Sequence, residues 1–262
     1  MNEDKRLNNQ LAIVTGASSG IGRAAAIELA KQGVTVCLFD VKEEAAKSVK
    51  EEIEQLGSEA FIFDVDLADY ERMQSAFQDI KQKWGKLDIL FANGGINGVL
   101  APIEDLKPED WDTTLETNLK GTFLSVKYAI PLMKQNGGSV IITSSINGNR
   151  VFSNFGMAAY SSSKSAQVAF AKMAALELAQ YKIRVNVICP GAVETNIGKN
   201  TNKTKDVEKI EIPVQFPEGS QPLEHKPAKP EQIAQLVSFL AFKHSDHITG
   251  TEIYIDGAES LL

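Results

Sequence analysis

Short apolar runs and helix-period stripes alternate along this chain from Leu11 to Asp256. Leu11–Thr15 is a continuous apolar run with a β-branched core, bounded by Gly16, and reads as a buried strand. Strong helix formers fill 23–30, and Gly33 is a natural stop. Residues 34–39 are a second buried strand that ends at Asp40. The alternation then repeats. Ala45, Ala46, Val49, Ile53 and Leu56 recur at helical spacing, and Phe61, Ile62, Phe63 and Val65 read as a strand. Met73, Ala76, Phe77, Ile80 and Trp84 mark a helix, and 87–92 a strand. The pattern predicts one long helix over 108–133, opened by Pro108. A strand at 140–142 and a helix from the Tyr160 region to about Tyr181 follow. The strand 184–188 ends at Pro190-Gly191; Ile233, Leu236, Val237 and Leu240 mark a helix, and 252–256 a last strand. Alternation this strict predicts α/β: a doubly wound parallel sheet of about seven strands with helices on both faces. No domain-sized linker or tandem repeat interrupts it, so 1–262 reads as a single domain. Residues 194–229 are the irregular part, rich in Lys, Thr, Asn and Pro. A connection that long predicts a lid.

Two helices carry more apolar surface than one sheet contact uses. The 160–181 helix has Val168, Phe170, Met173, Leu176 and Leu178, with alanines between them. The 108–133 helix has Leu115, Leu119, Phe123, Leu124, Val126 and Ile130. A helix apolar all round is buried all round, which predicts a helix–helix interface between copies unless the lid or tail covers these faces. The composition narrows the field. With 262 residues, 43% of them hydrophobic, there is enough for one large core. The net charge of -7 and pI near 5.2 argue against nucleic acid and anionic membrane as partners. The polar start of the chain has no apolar signal core, and no apolar run approaches the ~18 residues of a membrane span. A cytoplasmic protein is expected. Cys37 and Cys189 sit in strand-like runs and read as buried free thiols. His225, His244 and His247 have no metal-like ligand set around them, so no metal site is expected.

The chemistry starts at Gly16-Ala-Ser18-Ser19-Gly20-Ile21-Gly22, between a strand and a helix. Small residues there let backbone amides approach a pyrophosphate at the positive end of a helix, as in a Rossmann-type nucleotide site. The spacing is G-x-x-x-G-x-G. Asp40, at the end of the second strand, can accept hydrogen bonds from ribose hydroxyls and would repel a 2′-phosphate; Lys42 partly offsets this. NAD(H) is therefore expected over NADP(H). Tyr160 and Lys164 lie four apart on one helix face. A cation there favours the phenolate, which would lower the tyrosine pKa from about 10 and make Tyr160 a general acid/base.

Thr15-Gly-x-x-x-Gly-x-Gly22, Asn93-Gly-Gly95, Asn118, Ser145, Tyr160-x-x-x-Lys164 and Pro190-Gly191 occur in that order. Over about 11–257 the chain resembles the short-chain dehydrogenase/reductase family. The resemblance implies that Tyr160 moves the proton and that Lys164 tunes it and holds the nicotinamide ribose. It implies that Ser145 hydrogen-bonds the substrate oxygen and that Asn118 holds a water in a relay to Lys164. It further places Asp66 and Leu67 at the adenine, Asn93 on the ribose floor, and Val193 and Thr195 at the carboxamide. A homotetramer is the family expectation. Alternatives stay open: Ser144 beside Ser145, Asp64-Val65 as the adenine pair, and Asp66 as a helix cap. Three departures stand out. Ala92 precedes Asn93-Gly94, where Gly94 should loosen the turn. The stretch from Ser145 to Tyr160 is long, with Arg150, Phe152, Phe155 and Met157 expected to shape the substrate pocket. Ala258 follows Asp256-Gly257 where a second glycine is common. The implied activity is NAD(H)-dependent interconversion of a secondary alcohol and a ketone. The rival is an NAD(H)-binding regulator of the same fold without turnover.

Overall fold

A computed structural model describes residues 9–212, 214, 216–217 and 219–262. In chain order the elements are β1 Leu11–Thr15, α1 Gly20–Lys31, β2 Thr35–Asp40, α2 Glu43–Gln55, β3 Ala60–Asp64, α3 Tyr70–Trp84, β4 Ile89–Ala92 and the short β5 Val99–Leu100. Then come α4 Pro108–Leu115, α5 Gly121–Met133, β6 Gly138–Thr143, α6 Ala158–Leu178, β7 Ile183–Pro190, the short β8 Asn202–Lys203, α7 Pro230–Ala241 and β9 Glu252–Ile255. Seven strands form one parallel sheet in the order β3-β2-β1-β4-β6-β7-β9. β5 and β8 pair separately, Val99 with Asn202 and Leu100 with Lys203.

The strand period of two decides the layers. On β1, Leu11 and Ile13 enter one core with Met73, Phe77, Leu124 and Leu178, from α3, α5 and α6. Ala12 and Val14 enter the other with Ile27, Leu29, Ile53, Ile233 and Val237, from α1, α2 and α7. Both faces are covered, which is why the strands read as unbroken apolar runs. The order reverses direction between β1 and β4. In such sheets the crevice beyond the carboxyl ends of those two strands is the ligand position.

The expected single helix over 108–133 is divided. A π-helical turn, Glu116–Lys120, separates α4 from α5. Its cause is visible in Asn118, which is fully buried. The Asn118 side chain accepts from the Ile96 amide (2.8 Å) and donates to the Ile96 carbonyl (2.9 Å). Holding the loop after β4 in this way draws an extra residue into the turn, and apolar periodicity does not report it.

Among the described residues of 194–229 the only regular element is the short β8; residues 197–200 and 205–209 form 3-10 turns, and Val193 bridges Ala228 at the base. Val207, within this segment, is buried. No helix among the described residues is long and apolar enough to cross a membrane.

Candidate active site

The turn after β1 is closed by backbone. The Gly16 amide donates to Phe39 O (2.9 Å), and Gly16 itself is left-handed at φ 64. A methyl at Gly22 would fall inside the contact radius of the Gly16 carbonyl and 2.8 Å from Asn93 Nδ2. So the first turn of α1 lies directly against β1 and β4. Ser19 precedes α1 in extended conformation and makes no side-chain cap bond, and no acidic residue lies in the first turn. The helix amides beside Gly20, Ile21 and Gly22 are thus left for an anion. This cradle fits a dinucleotide pyrophosphate.

Asp40 is buried at the rim of the cradle. Its oxygens accept from the amides of Ser18 (2.8 Å) and Lys42 (3.0 Å). Two backbone donors fix the carboxylate and leave lone pairs for further hydroxyl donors. Asn93 closes the floor. Its amide donates to Thr15 Oγ1 (2.9 Å), its Nδ2 to Thr15 O (3.2 Å), and its Oδ1 accepts from Thr143 (3.2 Å). Thr15 was not singled out from sequence as a site residue, yet it organises this floor; a buried threonine at the end of an apolar strand was the available signal. Gly94, expected to loosen the turn, instead packs against Leu67, which would lie 2.6 Å from a methyl there. Asp66 is exposed and accepts from the Ala68 amide (2.9 Å). The cap of α3 is Asp69, which accepts from Glu71 and Arg72 (3.0 Å each), so the cap alternative for Asp66 is not realised. Asp64 faces Arg72 at 3.5 Å on the exposed side. On the other rim, Thr195 arches over the turn, its Cγ2 lying 3.1 Å from where a Gly20 methyl would be. An open depression of about 290 Å³ lies between the turn and the stretch from Glu194 to Asn196.

Tyr160 and Lys164 sit in the first turns of α6, both buried. Ser145 lies just past β6, and its side chain stands beside the Tyr160 hydroxyl, where it draws the phenol's pKa down. The Ser145 hydroxyl also accepts from the Asn147 amide (3.2 Å). Ser144 instead donates to the Lys164 carbonyl (2.8 Å), a direction that favours Ser145 of the two serines. Lys164 Nζ donates to Thr143 O (2.8 Å) and lies 5.6 Å from the Tyr160 ring centre. Asn118 reaches the same place: a methyl on Gly95 would be 2.9 Å from Asn118 Oδ1 and 3.7 Å from Lys164 Nζ. The side-chain amide of Asn118 is occupied by Ile96 and by Ser163 Oγ (3.0 Å), and its backbone carbonyl accepts from Gln167 and Thr122. The structure therefore brings Asn118, Ser145, Tyr160 and Lys164 to one pocket.

One electrostatic expectation is corrected. Burial pushes the Tyr160 phenol above its ordinary value, and the Ser145 hydrogen bond only partly opposes it. Burial also pushes Lys164 down to about 8 from 10.5. A four-residue spacing announces a neighbouring cation, but desolvation of both groups outweighs that attraction in the chain alone. The residues expected to shape the substrate pocket divide. Arg150 stacks on the Tyr254 ring at 3.6 Å, against β9, while Phe155 and Met157 are half-buried and Phe152 is 67% exposed. Among the described residues, neither the 194–229 segment nor the tail covers the apolar faces of α5 and α6. Phe123, Met173 and Leu176 stay 43, 67 and 76% exposed.

A family model described as enoyl-(acyl carrier protein) reductase matches residues 16–258. A solved 3-ketoacyl-ACP reductase from Sinorhizobium meliloti is 43% identical, with a TM-score of 0.91, covering 96% of this chain and 99% of that one. A cyclohexanol dehydrogenase of Acinetobacter sp. is 34% identical over 97% of this chain and 96% of its own length. A 3-ketoacyl-(acyl-carrier-protein) reductase from Brucella melitensis, solved with NADH, is 28% identical with a TM-score of 0.84, covering 97% of this chain and 99% of that one.

Proposed function

The chain belongs to the short-chain dehydrogenase/reductase family, and we propose that it is an NAD(H)-dependent oxidoreductase of secondary alcohols and ketones with Tyr160 as general acid/base. The observation that carries this is the buried Tyr160 side chain with Ser145 beside its hydroxyl and Lys164 Nζ 5.6 Å from its ring centre, close to the glycine turn. A bound nicotinamide supplies or accepts the hydride. Tyr160 gives its proton to the substrate oxygen in reduction and takes it in oxidation. Ser145 orients that oxygen. Lys164, pinned by Thr143 O, holds the ribose and favours the phenolate, and Asn118 fixes the loop on which the relay to solvent depends. Gly16, Ser18, Ser19, Gly20, Ile21 and Gly22 bind the pyrophosphate; Asp66 and Leu67 flank the adenine; Asn93 floors the ribose. Pro190, Gly191, Val193 and Thr195 hold the carboxamide.

The preference for NAD(H) rests on Asp40, a buried carboxylate already fixed by two amides, where a 2′-phosphate would meet like charge. The related NADH-bound reductase supports the same cofactor. The substrate is a secondary alcohol or its ketone; similar proteins named for acyl chains and for cyclohexanol fall in that class. The bare faces of α5 and α6 support a helix-paired homotetramer, in the cytoplasm, with residues 194–229 as lid on a single domain. The test is Tyr160→Phe, assayed by NADH absorbance over a panel of ketones with NADPH in parallel. Turnover should fall by on the order of a thousandfold, NADH should still bind, and wild type should prefer NADH. A Tyr160→Phe variant retaining most activity would overturn the mechanism.

A further inference from the structure

The turn after β9 reaches back to the cofactor side of the cleft. Glu259 Oε2 accepts from the Ala192 amide (2.9 Å) and from Gln221 Nε2 (3.1 Å), and its Oε1 accepts from Ser220 Oγ (3.1 Å). Gln221 is buried, and its Nε2 also donates to the Ala192 carbonyl (2.8 Å). Both polar groups of Ala192 are thus held by this pair or by its neighbour Ala228, whose amide donates to the same carbonyl (3.0 Å). Ala192 stands between Gly191 and Val193. Ser220 and Gln221 belong to the returning stem of the 194–229 segment. One carboxylate therefore joins the outgoing and returning stems at their base.

The turn is shaped for this reach. Ala258 is left-handed at φ 69, and Asp256 accepts from the amides of Ala258 (3.2 Å) and Ser260 (2.9 Å). The Leu223 amide donates to Gly257 O (3.2 Å), a second tie to the returning stem. Gly191 carries no side chain because the carboxylate occupies its place: a methyl there would be 2.5 Å from Glu259 Oε2 and 2.8 Å from Asp256 Cβ.

We infer that Glu259 is a positioning residue that sets the 190–195 turn, and through it Thr195, over Gly20 for cofactor binding. This rests on the assignment of Val193 and Thr195 to the carboxamide. A carboxylate accepting from a backbone amide and two side chains makes charge-assisted bonds, stronger than neutral ones. Its removal leaves the Ala192 amide without its acceptor and frees the two stems from each other. Thr195 then samples positions away from Gly20, and the cost falls on cofactor affinity rather than on proton transfer at Tyr160.

The test compares Glu259→Ala, Glu259→Gln and Gln221→Ala with wild type. NADH binding is read by fluorescence titration, KM for NAD and kcat by steady-state assay, and protection of 190–195 by hydrogen exchange. Glu259→Ala should weaken NADH binding and raise KM for NAD about tenfold, with kcat at saturation changed less than about threefold. The 190–195 peptide should lose protection. Glu259→Gln keeps an acceptor for Ala192 and should recover most of the affinity; Gln221→Ala should fall between. Equal NADH affinity in Glu259→Ala and wild type overturns the inference, as does a loss confined to kcat. If Glu259→Ala does not fold, Gln221→Ala decides by the same readouts. Wild type that binds no dinucleotide sinks the cofactor assignment and this inference together; wild type that binds while all variants match it sinks the inference alone.

Discussion

On the wall of the cleft at residues 16–22, backbone meets backbone, and a single methyl at Gly22 has nowhere to go. The proposed substrate wall, 150–157 with the 194–229 segment, shows exposed apolar side chains: Phe152, Ile210, Ile212, Val214 and Phe216. One wall is fixed by main-chain sterics and tolerates one ligand shape. The other presents side chains that can repack around different ligands. Binding of a constant cofactor suits the first, and selection among variable substrates suits the second. The proposed catalytic pair, Tyr160 and Lys164, is buried in the first turns of α6.

The sharpest break of this contrast is Gly22→Val. The new side chain must displace the Gly16 carbonyl or push α1 away from β1. NADH affinity should fall by at least about a hundredfold, measured by fluorescence titration with circular dichroism to show that the fold persists. If Gly22→Val binds NADH normally, the turn does not cradle the dinucleotide.

These two walls were unequally legible in the sequence. The β1–turn–α1–β2 unit was readable because buried strands are apolar throughout and glycines mark close backbone approach. The sheet, its helices and the order of the motifs followed from the same alternation. Asn118 was identified, but not the π turn around it, since the cause is a tertiary bond to Ile96. Tyr160 and Lys164 were readable as a pair, but the direction of the phenol's shift was not, because spacing reports neighbours and not burial. Glu259 gave no signal at all. Its role depends on where a left-handed Ala258 aims it, and an alanine in that conformation is invisible to pattern.

A second prediction probes the pair itself. Burial holds Lys164 at about 8 in the fold, against 10.5 ordinarily. Between those values the unfolded chain binds a proton that the folded chain does not, so stability rises with pH there. Below pH 8 the fold carries a buried ammonium at a cost of up to roughly 3 kcal/mol. Lys164→Met removes that cost together with the bond to Thr143 O. Its melting temperature minus that of wild type should therefore be largest near pH 7 and shrink toward pH 10, while activity is lost. A difference independent of pH would mean that Lys164 stays fully charged throughout. Tyr160 is common to both proteins, so its own raised pKa drops out of the subtraction to first order.

The smallest effect is expected on the adaptable wall, with Ile212→Ser. Ile210, Ile212, Val214 and Phe216 recur at every second position of the sequence, and all four are exposed. Ile212 is 67% exposed, so the substitution should change stability by no more than about 0.5 kcal/mol. If this segment closes over substrate, its apolar edge gains contact only when an apolar ligand is present. KM for an alicyclic ketone should then rise about threefold, the value of a partial hydrophobic contact, while KM for a small polar ketone and the affinity for NADH stay as in wild type. The discriminating result is selectivity: equal changes for polar and apolar ketones would show that Ile212 acts on the shape of the segment and not on the ligand. A change in NADH affinity would dissolve the division between the walls, because a side chain on the adaptable side would then be holding the cofactor.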